Sequence, residues 1–114
     1  MKLSVGERLC LLNMLPEYGD IITLRIIRDL QGSLGFSEEE LGRLNFQQTD
    51  GKVSWDTSID LLKEIDIGAA TLKVIQQRFA ELSSQRQLPM SWLETYDRFM
   101  DNKEAIHAVQ DSKE

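Results

Sequence analysis

Few residues in this 114-residue chain could do covalent chemistry. Cys10 is the only cysteine and His107 the only histidine. A nucleophilic thiol with an imidazole base would have to join those two. Cys10 lies within an apolar helical stretch, where a thiol is usually a small core residue. A reactive thiol needs an electropositive, partly exposed site, and this stretch does not offer one. His107 falls in a charged C-terminal segment with weak periodicity. Metal ligands at structural spacing are missing, since there is no CxxC, HxxxH or EF-hand loop. Glu38, Glu39 and Glu40 stand together, but consecutive helix residues point in different directions. They are better explained as acidic residues at the positive end of a helix dipole. Gly32-Ser33-Leu34-Gly35 lacks the lysine and the strand-to-helix setting of a phosphate loop, and reads as a helix end. The expectation is therefore no enzyme, no cofactor and no metal.

What remains is apolar surface. Trp92, Tyr96 and Phe99 fall on one helical face. They either pack against the rest of the chain or form an interface, where aromatics are enriched. The first helix carries Val5, Leu9, Leu12 and Leu15 at helical spacing, and Leu11 and Met14 widen that stripe beyond what a surface helix needs. Leu11, Met14, Trp92, Tyr96 and Phe99 are the candidate interface residues, and self-association through one of the two faces is expected. A small-molecule pocket between subunits would require Arg25, Arg28 or Arg78 to converge.

These side chains must be positioned by helices on either side of one strand-forming region, 45–68. Asp50-Gly51 is a strong signal for a two-residue type I′ turn, which needs positive φ at both central residues. With that turn, Thr49 faces Lys52, Gln48 faces Val53, Gln47 faces Ser54 and Phe46 faces Trp55. Alternation then puts Phe46, Gln48, Val53 and Trp55 on one face. The aromatic pair is expected to face the core under a helix over 69–85. Lys63, Ile65 and Ile67 alternate with Glu64 and Asp66 and suggest a third strand. Residues 56–62 read only as a loop or a short capped turn.

Ser4-Val5-Gly6-Glu7 and Ser37-Glu38-Glu39-Glu40 are capping boxes. They start helices over 4–15, which Pro16 stops, and over 37–44. Between them, Ile21, Leu24, Ile27, Leu30 and Leu34 follow helical spacing over 21–34, capped by Asp20 or Thr23. The β-branched residues there make a strand over 21–27 the competing reading, but the length of the periodic run favours a helix. Gly35 is expected to end that helix with positive φ. In the long helix over 69–85, Leu72, Ile75, Phe79 and Leu82 form the stripe. A third box, Ser91-Trp92-Leu93-Glu94, opens a last helix ending near residue 102. The fold class is α+β: about five helices packed on a small antiparallel hairpin or three-stranded sheet. Residues 1–102 form one globular domain, and 103–114 are expected to be a frayed or disordered acidic tail.

Helix, turn, helix and hairpin in that order match a winged helix. The reading helix, however, would present Glu38, Glu39 and Glu40 to phosphates, and the wing carries Asp50 at its tip. The net charge is −6, and no basic cluster stands out. Nucleic-acid affinity rests on lysine and arginine neutralising phosphate, so DNA regulation is the weakest reading. No run is long enough to span a bilayer. The N-terminal apolar stretch is interrupted by Glu7, Arg8 and Asn13, unlike a secretory signal. A single cysteine fits a reducing cytoplasm.

The phrases KLSVGERLCLLNMLPEYGD, GFSEEELGRLNF and LLKEIDIG together resemble small uncharacterised proteins carried by bacteriophages and prophages. The resemblance runs to about Phe99 and rests on general pattern, with no catalytic motif. It implies a phage-encoded accessory protein in the host cytoplasm and supplies no site residues. Two functions are expected from these readings. One is a non-enzymatic accessory protein that acts through protein–protein contacts and self-associates. The other is an inhibitor of a host protein or defence system, its acidic surface occupying a basic site.

Overall fold

The computed structural model describes residues 1–100. Local side-chain chemistry starts the first three helices. Helix α1 (Val5–Met14) and helix α3 (Glu38–Arg43) each begin with a complete capping box. The Glu7 amide donates to Ser4 Oγ at 3.2 Å, and the Ser4 amide donates back to Glu7 Oε1 at 2.9 Å. Ser37 and Glu40 repeat the exchange at 3.1 and 3.0 Å. Helix α2 (Ile21–Leu34) is capped by Asp20, whose carboxylate accepts from the Thr23 amide and hydroxyl.

The helix ends are less expected. Gly35 closes α2 with φ −60°, so no left-handed residue is used there. The left-handed positions fall on Asn45 (φ 50°) after α3 and on Arg86 (φ 58°) after helix α4 (Ala69–Ser84). Both form the same double-bonded terminus. Phe46 donates to Leu41 O and Asn45 to Gly42 O; Gln87 donates to Leu82 O and Arg86 to Ser83 O. This pattern satisfies the orphan carbonyls of the last turn. The third expected capping box does not form. Met90–Trp92 is a 3-10 turn instead, closed by the Trp92 amide on Pro89 O at 3.0 Å, and helix α5 (Leu93–Met100) follows.

Strand β2 (Gln47–Thr49) pairs with strand β3 (Lys52–Ser54) in the register expected from the sequence: Gln47 with Ser54, Gln48 with Val53, Thr49 with Lys52. Asp50 and Gly51 carry φ of 53° and 75°, as the turn requires. The alternating run at 63–67 does not add a third strand to this hairpin. Strand β4 (Lys63–Glu64) pairs antiparallel with strand β1 (Lys2–Leu3), making a second, separate sheet. The fold is α+β, with five helices and two small antiparallel sheets among the described residues.

Helices α1, α2, α4 and α5 enclose the core. Leu11, Leu34, Ile75, Phe79 and Phe99 are fully buried there, and Leu3 of β1 joins them with Ile65 and Ile67 from the segment just after β4. Phe79 meets Tyr96 edge-on with centroids 5.5 Å apart, a favoured aromatic geometry. The hairpin lies outside this core. All six of its strand residues are exposed. Phe46 and Trp55 do stack, at 6.4 Å and 12°, but the next ring beside them is Phe36, 5.9 Å from Phe46 and tilted by 35°. The expected cover from α4 is corrected: its buried stripe packs on α1, α2 and α5. Residues 56–62 form a turn in which Asp56 accepts from the Ser58 amide and hydroxyl. Residues 101–114, with the expected tail and His107, lie outside the described residues.

Candidate interaction surface

Charge inside a protein is costly unless it is paired and hydrogen-bonded, so buried ions show where the fold has spent its polar groups. Arg8 is fully buried on α1. Its Nε donates to Leu34 O at 3.1 Å, and Nη2 donates to Gly35 O at 2.5 Å. Nη1 meets Glu40 Oε2 at 2.7 Å, and Nη2 reaches Glu40 Oε1 at 3.3 Å. The guanidinium lies 3.8 Å from the centroid of the Phe36 ring. One side chain of α1 thus holds the last carbonyls of α2, the turn and the capping carboxylate of α3. Glu40 was expected to be a surface carboxylate of α3, and that is corrected. Its hydrogen bonds to Arg8 hold its pKa down at about 2. Sequence reasoning treated Arg8 as an interruption of an apolar run. The available signal was its spacing of three residues from Val5, on the buried stripe itself.

The other candidates for chemistry are spent in similar ways. Burial pushes the Cys10 thiol up to about 11, with Thr95 as its hydrogen-bond partner. It is protonated at neutral pH, and the thiolate is the nucleophile. Glu7 joins the N-terminus of α1 to Arg98 on α5, with both carboxylate oxygens 2.6 Å from Nη1. Arg78 donates to Met14 O at 2.6 Å and pairs with Glu81. Arg28 lies in an exposed pair with Asp29. No buried side-chain polar atom among the described residues lacks a partner. No group of three or more His, Cys, Asp or Glu among them is arranged to hold a metal.

The apolar candidates divide. Leu11, Met14 and Phe99 are buried inside the chain, 1% exposed or less, and present nothing to a partner. As interface residues they are corrected: the wide stripe of α1 is wide because α2 and α4 cover it from two sides. Trp92 and Tyr96 are only half-buried. They line a cavity of about 400 Å³ together with Leu88, Pro89, Met90 and Leu93. Met90 is 83% exposed at this cavity and Leu93 49%. Tyr18, Ile21 and Ile22, at the start of α2, are a second exposed apolar group. Sequence periodicity could not find Met90, which sits in the 3-10 turn and belongs to no helical stripe.

The winged-helix element order holds, but α3 is six residues long and its exposed first turn carries Glu38 and Glu39. No helix among the described residues is long and apolar enough to cross a membrane. No protein-family model, curated protein or solved structure matches the chain.

Proposed function

We propose that this chain is a non-enzymatic accessory protein of phage type that works through protein–protein contacts and self-association. The observation carrying this reading is the cavity of Leu88, Pro89, Met90, Trp92, Leu93 and Tyr96. It leaves large apolar side chains in water, while every buried side-chain polar atom among the described residues has a partner. Exposed contiguous apolar surface of this kind marks interaction sites. The titratable groups support the same reading. Glu40 is held ionised by Arg8 and Cys10 is held protonated by burial, so neither is poised near neutrality as a general acid or base. The phage assignment rests on the sequence resemblance.

Sedimentation equilibrium of the purified chain, from micromolar to several hundred micromolar, tests self-association. A mass that rises with concentration is expected. A constant monomer mass of 13.1 kDa across that range defeats self-association. A gene lying outside phage or prophage clusters defeats the phage assignment and leaves the contact chemistry untouched.

A further inference from the structure

Asp50 is the only aspartate in the chain that is followed by glycine. We propose that Asp50-Gly51 is a spontaneous modification site. There the aspartate converts through a cyclic imide to isoaspartate, which reshapes the hairpin tip while the core keeps its packing. This modification is independent of self-association.

The reaction needs a free carboxyl, a free amide and open space between them. The Asp50 carboxylate has no hydrogen-bond or ion-pair partner among the described residues, whereas Asp20 and Asp56 are held by Thr23 and Ser58. Among those residues no acceptor engages the Gly51 amide. Nothing lies within 4 Å of the place where a Gly51 Cβ would stand, so no side chain obstructs the approach. Every other aspartate precedes a residue whose side chain shields the next amide nitrogen. In the first step the Gly51 nitrogen attacks Cγ of the protonated Asp50 carboxyl. The N–Cγ bond forms, the Cγ–OH bond breaks, and the hydroxyl leaves as water with the amide proton. Water then opens the imide. Cleavage of N–Cγ returns aspartate. Cleavage between the nitrogen and the main-chain carbonyl leaves Gly51 attached through Cγ, as isoaspartate. Water lost is water regained, and no oxidant or reductant is required.

The hairpin sets the rate and confines the result. Ring closure turns Asp50 out of the type I′ setting that its φ of 53° records, so the step waits for the turn to open. All six strand residues are exposed and none belongs to the core cluster. Segments with so few buried contacts open at far lower cost than the whole fold. In the product Cβ lies in the main chain and lengthens the loop. Loop length and turn type fix hairpin register, so the Thr49–Lys52 and Gln48–Val53 pairs lose theirs. Below them the Phe46–Trp55 stack and the Asp56 amide on Leu44 O hold the stem.

Ageing the full chain for weeks in neutral buffer at physiological temperature tests the site. Isoaspartate is detected with an isoaspartyl methyltransferase and located by electron-transfer fragmentation of tryptic peptides, Asp50 falling in peptide 44–52. Asp50 should carry at least about tenfold more isoaspartate than any other aspartate, because only glycine leaves the attacking nitrogen unshielded. The chain held unfolded in urea should react faster than the native chain, by no more than about thirtyfold. A smaller excess at Asp50 overturns the site, and a larger protection shows that the closed turn forbids the step. Asp50→Asn keeps the turn, since Asn-Gly also favours type I′, and releases ammonia in place of water. Ammonia departs more readily, so this variant should form isoaspartate severalfold faster; a rate no faster than wild type overturns the imide route. Aged and fresh protein should melt within about 2 °C of each other, and a larger drop overturns confinement to the tip.

Discussion

Replacing Arg8 by methionine should be the most damaging single change in the first helix. The methionine keeps much of the apolar stem and removes the guanidinium. Leu34 O and Gly35 O lose their donors, Glu40 loses its ion pair and the Phe36 ring loses its cation. Breaking a buried ion pair by removing one partner costs roughly 3–5 kcal/mol. The Glu40 side chain retains 17% exposure and can turn outward to water, so the lower end applies. About 3 kcal/mol is expected, which for a domain of this size lowers the melting temperature by about 10–20 °C. Urea unfolding followed by circular dichroism reads the change directly, with the midpoint moving and the slope kept. Glu40→Gln should cost less, about 1–2 kcal/mol, because glutamine can still complete the capping box. The two changes share one interaction, so the double variant should cost less than their sum. If Arg8→Met stays within about 0.5 kcal/mol of wild type, the guanidinium does not hold the α2–α3 turn and the account given of it is wrong.

Three further outcomes can be measured with the same preparation. Acid should destabilise the protein through Glu40: its folded pKa is depressed to about 2 from 4.5, so its stabilisation is complete above about pH 5 and lost as pH falls toward 2. That loss is on the order of 2 kcal/mol after allowing for the solvent at its outer edge, and Arg8→Met should remove most of this part of the pH dependence, leaving the smaller share that the Ser37 amide and Lys63 supply. Arg86→Gly should raise stability by about 0.5–1 kcal/mol in thermal melts, since φ of 58° strains a side-chain-bearing residue and suits glycine; a loss would show that the arginine side chain outweighs its backbone strain. Cys10 should resist thiol reagents at pH 8 in the native state and react at the unfolded rate in urea; fast native labelling would contradict its burial.

The hairpin was legible because its determinants are adjacent in sequence. Asp50-Gly51 dictates backbone signs, and the register follows by counting outward. What the aromatic face packs against was not legible, because alternation gives a face and not its neighbour. The Phe36 ring is ten residues away and shows no periodicity linking it to Phe46. The two real capping boxes were read correctly from four-residue windows, whereas the Ser91 box was preempted by Pro89, which imposes a tighter turn. Pairing of Lys2–Leu3 with Lys63–Glu64 spans about sixty residues and involves two-residue strands, too short to carry any pattern. The interface candidates failed where breadth of an apolar stripe was taken for surplus. Leu11 and Met14 face two neighbouring helices, and only the packed structure separates that case from exposure. Arg8 was hidden by its charge, since an arginine in an apolar stripe reads as surface until its partners are found at the end of another helix.

The neck of the hairpin has a consequence for how this chain can change. The Asp56 amide donates to Leu44 O at 2.8 Å, so the chain leaves and re-enters at one point. None of the residues between them belongs to the principal core cluster, and the buried framework resumes only at Ile65. Residues 47–54 therefore behave as a graft on a stem closed by Asn45, Phe46 and Trp55. Their length and composition can be rewritten, or a reporter inserted at Asp50-Gly51, while the helices keep their packing. Such a site lets a lineage vary what it displays at the tip without refolding what carries it.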